Sequence, residues 1–134
     1  MMETPMDRID KILNHDLFLY HLGRNNAAEA DRRFCRHSMV HFLDVARIGT
    51  IIALEEGLKI NREWIYAAAL LHDCGKHEQY ENGIPHEQAS ARIAPEILKT
   101  CGFNDEETGV IVTAISRHRD PEAAKEKNLN GILY

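Results

Sequence analysis

Four histidines, His41, His72, His86 and His118, and the aspartate beside the second, Asp73, are the residues whose type and placement could do chemistry. Each histidine closes one end of an apolar line at helical spacing. His41 leads Val45, Ile48 and Ile52, and His72 follows the unbroken run Trp64–Leu71. His86 precedes Ala89, Ile93 and Ile97, while His118 follows Ile111 and Ile115. An imidazole and a carboxylate delivered to the edge of a core are costly unless paired or coordinated. Nitrogen and oxygen donors together suit divalent Mn, Fe, Co, Ni or Zn. Helical bundles hold such ions through inward-facing ligands on neighbouring helices, where starts of some helices meet ends of others. Taken singly, a histidine on an apolar face is more often a hydrogen-bonded core residue, so spacing alone leaves both readings open. His15, His21 and His77 have no such alignment and are read as surface residues. His37, one turn before His41, reads either as a substrate or supporting contact or as a polar residue near a helix start.

The elements that must position these residues are helices. Ala67, Ala68 and Ala69, with few β-branched neighbours, favour a helix over a strand for the run before His72, and Asn61 is its candidate N-cap. The pattern predicts a first amphipathic helix over 6–20 that Gly23 ends, and a short, partly exposed helix over 26–36. A helix capped by Ser38 runs to about Glu56, where Gly57 stops it, with His41, Val45, Ile48 and Ile52 as its apolar stripe. Residues 74–85 read as a loop because they hold Gly75, Asn82–Gly83 and Pro85. The helix from His86 should kink or split at Pro95, which removes a backbone donor. Asn104 and Glu107 are spaced as a capping box, Asp120–Pro121 breaks the chain again, and 122–134 looks like the start of one more helix. The expectation is an all-α single domain over 1–134 with about six or seven helices.

Composition narrows the partners. A chain of 134 residues that is 44% hydrophobic can build one core, and a formal net charge of −5 argues against a specific nucleic-acid surface. Residues 1–16 lack the apolar stretch of a secretory signal, and no segment approaches the roughly 20 apolar residues of a membrane span. Cys35, Cys74 and Cys101 are odd in number and form no CxxC, which fits reduced thiols in the cytoplasm. Oligomeric state is not legible.

The series His41-x-x-Asp44-Val45-Ala46, Ala69-Leu70-Leu71-His72-Asp73-Cys74-Gly75-Lys76, His86 before Ala89 and Ala91, and Ala114-Ile115-x-x-His118 resembles the HD superfamily of metal-dependent phosphohydrolases. The match spans roughly 37–118. The resemblance implies an all-α HD domain with one or two divalent ions at one end. His41, His72 and Asp73 would form the first ligand set, and His86 and His118 would be the additional histidines of two-metal members. Asp73 would bridge the ions and, with Lys76 neutralising phosphate, carry catalysis on a small phosphorylated metabolite or nucleotide. Arg36, Arg117 and Arg119 are weaker phosphate candidates, and Asp44 could orient a ligand histidine. The family completes its first site with a later aspartate in an Ala-Asp pair. This chain reaches Tyr134 about where that helix would begin, so a fragment is expected, with Asp120 the only nearby substitute. Three other readings remain open: a di-iron oxygenase of the same superfamily, a non-catalytic metal-binding interaction or sensor module, and a plain bundle with fortuitous histidines.

Overall fold

The run before His72 becomes the centre of the fold, because its small residues let neighbouring helices approach from several sides. The computed structural model describes residues 7–29, 39–126 and 128–133, which are helical with no strand among them. The α-helices are α1 (Asp7–Leu13), α2 (Asp16–Glu29), α3 (Met39–Glu55), α4 (Arg62–Leu71), α5 (Lys76–Asn82), α6 (His86–Thr100), α7 (Asp105–Ser116) and α8 (Leu129–Leu133). A 3-10 turn covers Pro121–Lys125. In α4, Ile65, Ala67, Ala68, Ala69, Leu70 and Leu71 are all buried, and α1, α3, α6, α7 and α8 pack against it. Burying each large aliphatic side chain is worth about 1.5–3 kcal/mol. Asn61 caps α4 as expected, accepting from the Glu63 backbone N–H at 2.8 Å. No helix among the described residues is long and apolar enough to cross a membrane.

Several boundaries differ from the sequence reading. The first helix is two helices: the chain breaks at 14–15, where His15 Nδ1 accepts from the Leu17 backbone N–H at 3.1 Å and caps α2. Gly23 lies inside α2, and residues 26–29 extend that helix; 30–36 and Ser38 lie outside the described residues. In α3 the buried line is Phe42, Ala46, Gly49 and Ala53, one position after the expected stripe. Phe42 is fully buried while Ile48 is 57% exposed. The small residues after Phe42 let α3 lie close to the alanines of α4, and that packing sets the rotation of the helix. The expected loop 74–85 contains α5, because Gly83 at φ 71° is a left-handed helix cap. Pro95 does not split α6, which runs on with Ala94, Ile97 and Leu98 buried around it. The segment 122–134 begins as the 3-10 turn and only then forms α8.

At the start of α4 a charged network holds three helices. Arg8 pairs with Glu63 at 2.9 Å, reaches both oxygens of Glu107 at 2.9 Å, and stacks over Phe103 at 4.1 Å. Trp64 donates its indole N–H to Glu107 at 2.7 Å. The expected capping box forms: Glu107 N–H donates to Asn104 at 2.8 Å and Asn104 N–H donates to Glu107 at 3.1 Å. The Arg8 hydrogen bond, above all, holds the Glu107 carboxyl at about 2. A carboxyl held below its unfolded value of about 4.3 stabilises the fold above that value and loses the contribution as pH falls towards about 2. Thermal melting from pH 6 to pH 2 is therefore expected to fall less steeply below about pH 4.3 for Glu107→Gln than for the parent. Parallel curves would show that Glu107 contributes nothing to acid sensitivity.

Candidate metal centre

Helices α4 and α7 run side by side in the same sense, since Trp64 meets Glu107 at their starts while His72 and His118 meet beyond their ends. The His72 and His118 rings stand edge to face, 5.1 Å between centroids. The starts of α3 and α6 bring His41 and His86 to the same place, which is the meeting of helix ends that the sequence pattern implied. Two donor groups result: His41, His72 and Asp73 form one, and Asp73, His86 and His118 form the other. Within each, the donor atoms lie within 4.8 Å of one another. His41 is exposed, while the other four residues are buried.

Hydrogen bonds fix which nitrogen each buried ring presents. Nδ1 of His72 lies 2.5 Å from the Ala69 carbonyl, and Nδ1 of His118 lies 2.6 Å from the Ile115 carbonyl. Nδ1 of His86 lies 2.7 Å from the Gln79 side-chain oxygen, which also accepts the His86 backbone N–H. An oxygen acceptor requires Nδ1 to carry the proton, so each Nε2 is left with a lone pair. Those lone pairs converge: His86 Nε2 and His118 Nε2 are 3.0 Å apart, and both lie 3.5 Å from Asp73 Oδ1. His72 Nε2 is 3.3 Å from Asp73 Oδ2. Lone pairs and a carboxylate facing each other at these distances repel unless a cation, a proton or a metal ion, lies among them. The donor set therefore fits a divalent ion, with the Nδ1 bonds acting as the orienting contacts that ligand histidines use.

Protonation follows the same geometry. Burial lowers the His72 pKa, but the Asp73 carboxylate and the Ala69 carbonyl outweigh it and leave it raised. Burial holds His86 down to about 4; Asp73 opposes that effect and the Lys76 ammonium adds to it. Lys76, at the start of α5, is half-buried, and its Nζ lies 6.0 Å from the Tyr80 ring centroid.

Other expected residues lie elsewhere in their bonding. Asp44 pairs with Arg47 at 3.2 Å on the exposed side of α3. Asp120 caps the 3-10 turn through the Glu122 N–H at 3.0 Å and accepts from Arg117 at 3.2 Å, so its carboxylate is engaged away from both donor groups. Arg117 is held by Asp120 and Glu126. Arg119 lines a cleft beside His86. Arg36 and His37 lie outside the described residues. His21 and His77, read as surface residues, are buried and face each other, Nδ1 to Nε2, at 2.8 Å. Burial holds His21 down to about 4.

The sequence reading missed the residues that hold the 72–77 turn. Asn25, fully buried on α2, donates to the Asp73 carbonyl at 2.9 Å and accepts the His77 N–H at 2.8 Å. Ser90 on α6 accepts the Gly75 N–H at 2.9 Å, and the Cys74 thiol lies 3.9 Å from the Ser90 carbonyl. Burial pushes that thiol up to about 12, so it stays protonated. A Cβ at Gly75 would lie 2.6 Å from the Ser90 nitrogen and 2.7 Å from two atoms of Ala89. The signal for Asn25 was available, because Phe18, His21 and Asn25 share helical spacing on one buried face of α2. For Ser90 there was none.

The HD domain family matches residues 39–133. A protein of Clostridium beijerinckii described as an uncharacterized protein is 49% identical over 129 residues, which is 96% of this chain and 80% of that protein. No solved structure matches the chain.

Two substitutions test the support of the turn by urea unfolding. Gly75→Ala is expected to destabilise by about 1–3 kcal/mol, because Ala89 and Ser90 backbone atoms must shift. Asn25→Ala is expected to lose about 1–3 kcal/mol, since it strands the buried His77 N–H and leaves the Asp73 carbonyl with the Lys76 N–H alone. Changes below about 0.5 kcal/mol would mean that the turn relaxes freely.

Proposed function

Because the chain belongs to the HD-domain family, we propose that it is a metal-dependent phosphohydrolase acting on a small phosphorylated metabolite or nucleotide. The observation that supports this reading best is that Asp73 is common to both donor groups, with one carboxylate oxygen near His72 and the other near His86 and His118. One or two divalent transition ions (Mn, Fe, Co, Ni or Zn) held by His41, His72, Asp73, His86 and His118 would acidify a water and stabilise charge on phosphoryl oxygens.

The protein's own groups do the rest. The Ala69 and Ile115 carbonyls and the Gln79 side chain hold three imidazoles in the ligating tautomer. Asn25 and Ser90 keep Asp73 between them. Lys76 brings a positive charge that adds to the lowering of His86 and opposes the net rise of His72, and it would take a phosphoryl oxygen. In the reaction, the oxygen of water bonds to phosphorus and the ester P–O bond breaks. One water proton ends on the leaving alcohol and the other on inorganic phosphate. The buried thiols of Cys74 and Cys101, neither in a disulfide, agree with a reducing, cytoplasmic setting.

Elemental analysis of the purified chain beside His72→Ala tests the site first. One or two equivalents of metal in the parent and none in the variant are expected. A metal at 100 times its dissociation constant should add about 2.7 kcal/mol to the parent's stability. A phosphatase and nucleotidase screen with Mn, Co, Ni and Zn should then release phosphate from the parent alone. Metal binding without phosphate release under any ion would overturn the hydrolase reading, and oxygen uptake by iron-loaded protein would replace it with the oxidative one.

A further inference from the structure

Helix α3 is apolar on two opposite sides. Phe42, Ala46, Gly49 and Ala53 are buried on one. On the other, Ile48, Ile51, Ile52 and Leu54 are 57%, 54%, 36% and 75% exposed. A surface helix ordinarily carries polar residues on its outer side, and a helix that is apolar all round is one that is covered all round. Single exposed aliphatic side chains are ordinary, but a contiguous patch marks a contact surface. Elsewhere among the described residues, the exposed large apolar side chains are Leu19 and Tyr20 on α2 and Val110 on α7. Helices α4 and α8 pack against α3, yet its four outer aliphatic residues stay in water.

The charges on this side decide what can cover it. Arg47, Ile51 and Glu55 follow one another at four-residue steps, so they form one line along the helix with the isoleucine at its centre. Glu55 is exposed and makes no ion pair among the described residues. Arg47 gives one N–H to Asp44 at 3.2 Å, and a guanidinium with five donors has others to give. In an antiparallel pair of α3 helices related by a two-fold axis at Ile51, Arg47 of each copy comes opposite Glu55 of the other, because both stand four residues from the axis. Symmetry repeats that contact, so two charge pairs flank an apolar centre. A parallel pair would set Arg47 against Arg47 and Glu55 against Glu55, so the same charges also fix the direction.

We propose that the outer side of α3 is a self-association surface, on which a second copy of this chain docks its own α3 antiparallel. Ile51 sits at the two-fold axis, and Arg47 pairs with Glu55 of the partner subunit. Ile48, Ile52 and Leu54 then leave water together, which supplies the attraction, while the charge pairs set register and direction. The contact needs neither bound metal nor phosphoester, and it stands whether or not the chain hydrolyses one.

Sedimentation equilibrium of the full chain over a range of concentrations tests it. The parent is expected to reach twice the chain mass, and Ile51→Glu, which sets two carboxylates against each other at the axis, to stay at the mass of one chain. Because residue 51 is exposed, Ile51→Glu should keep the parent's helical circular dichroism. Arg47→Glu and Glu55→Arg should each weaken the dimer by about tenfold, since each replaces two attractions by two repulsions. The double variant with both reversals should recover the parent's dissociation constant. A parent that remains a single chain at every concentration, a dimer that survives Ile51→Glu, or a double variant no tighter than the singles would each overturn the proposal. A single-chain parent whose melting temperature falls by several degrees in Ile51→Glu would overturn it too, and would show that another segment of the same chain covers the patch.

Discussion

A side chain at residue 75 would lie 2.6 Å from the backbone nitrogen of Ser90, and the rest of the site depends on that close approach. The turn after α4 is pressed directly against α6, with Ser90 taking the Gly75 N–H from one side and Asn25 of α2 taking the Asp73 carbonyl from another. The turn that carries Asp73 is therefore held between two helices by its backbone, and the Asp73 carboxylate is shared by two groups of histidines. Glycine is needed here for space, since its φ of −95° is one that any residue adopts.

Placing three buried imidazoles and a carboxylate within such short distances opposes folding. Each imidazole has spent its proton-bearing nitrogen on an oxygen acceptor, so lone pairs meet at the centre of the cluster. A proton relieves part of the repulsion, which is the physical sense of the raised His72 pKa under the influence of Asp73. A divalent ion would relieve more of it and displace that proton, so metal binding, proton release and stability would be one linked equilibrium. At the other end of the ten-residue α4, the Arg8, Glu63, Glu107 and Trp64 contacts clamp the starts of α4 and α7 together. That clamp fixes the parallel alignment on which the meeting of His72 and His118 depends.

The sequence conveyed which residues gather better than it conveyed where the helices begin and end. Asn61, the Asn104–Glu107 box and Gly57 are local signals with local causes, and they appear where they were expected. Motif order placed His41, His72, Asp73, His86 and His118, and the folded chain gathers those residues into two donor groups. What failed was decided by tertiary packing. The α3 stripe is displaced by one residue because Phe42 outweighs His41 for the interior. Asn82–Gly83 reads as a turn in isolation, yet Gly83 ends a helix that the packing of α2 and α6 stabilises. His21 and His77 close no apolar line, so nothing local marks them for the interior, and each finds its partner 56 residues away.

The segment before the family-matched region is thereby part of the site's support. The match begins at residue 39, but Asn25 and His21 belong to α2 and bind the turn that carries Asp73 and the first residues of α5. Asn25 uses both ends of its amide, one donor and one acceptor, on backbone groups four residues apart, Asp73 and His77. A valine or leucine of similar size would fill the space but leave the buried His77 N–H unsatisfied and the Asp73 carbonyl with only the Lys76 N–H. The requirement at this position is thus chemical as well as steric, and it acts on the aspartate's backbone rather than on its carboxylate. Helix α2 contributes no donor to either group, yet it fixes where the shared donor stands.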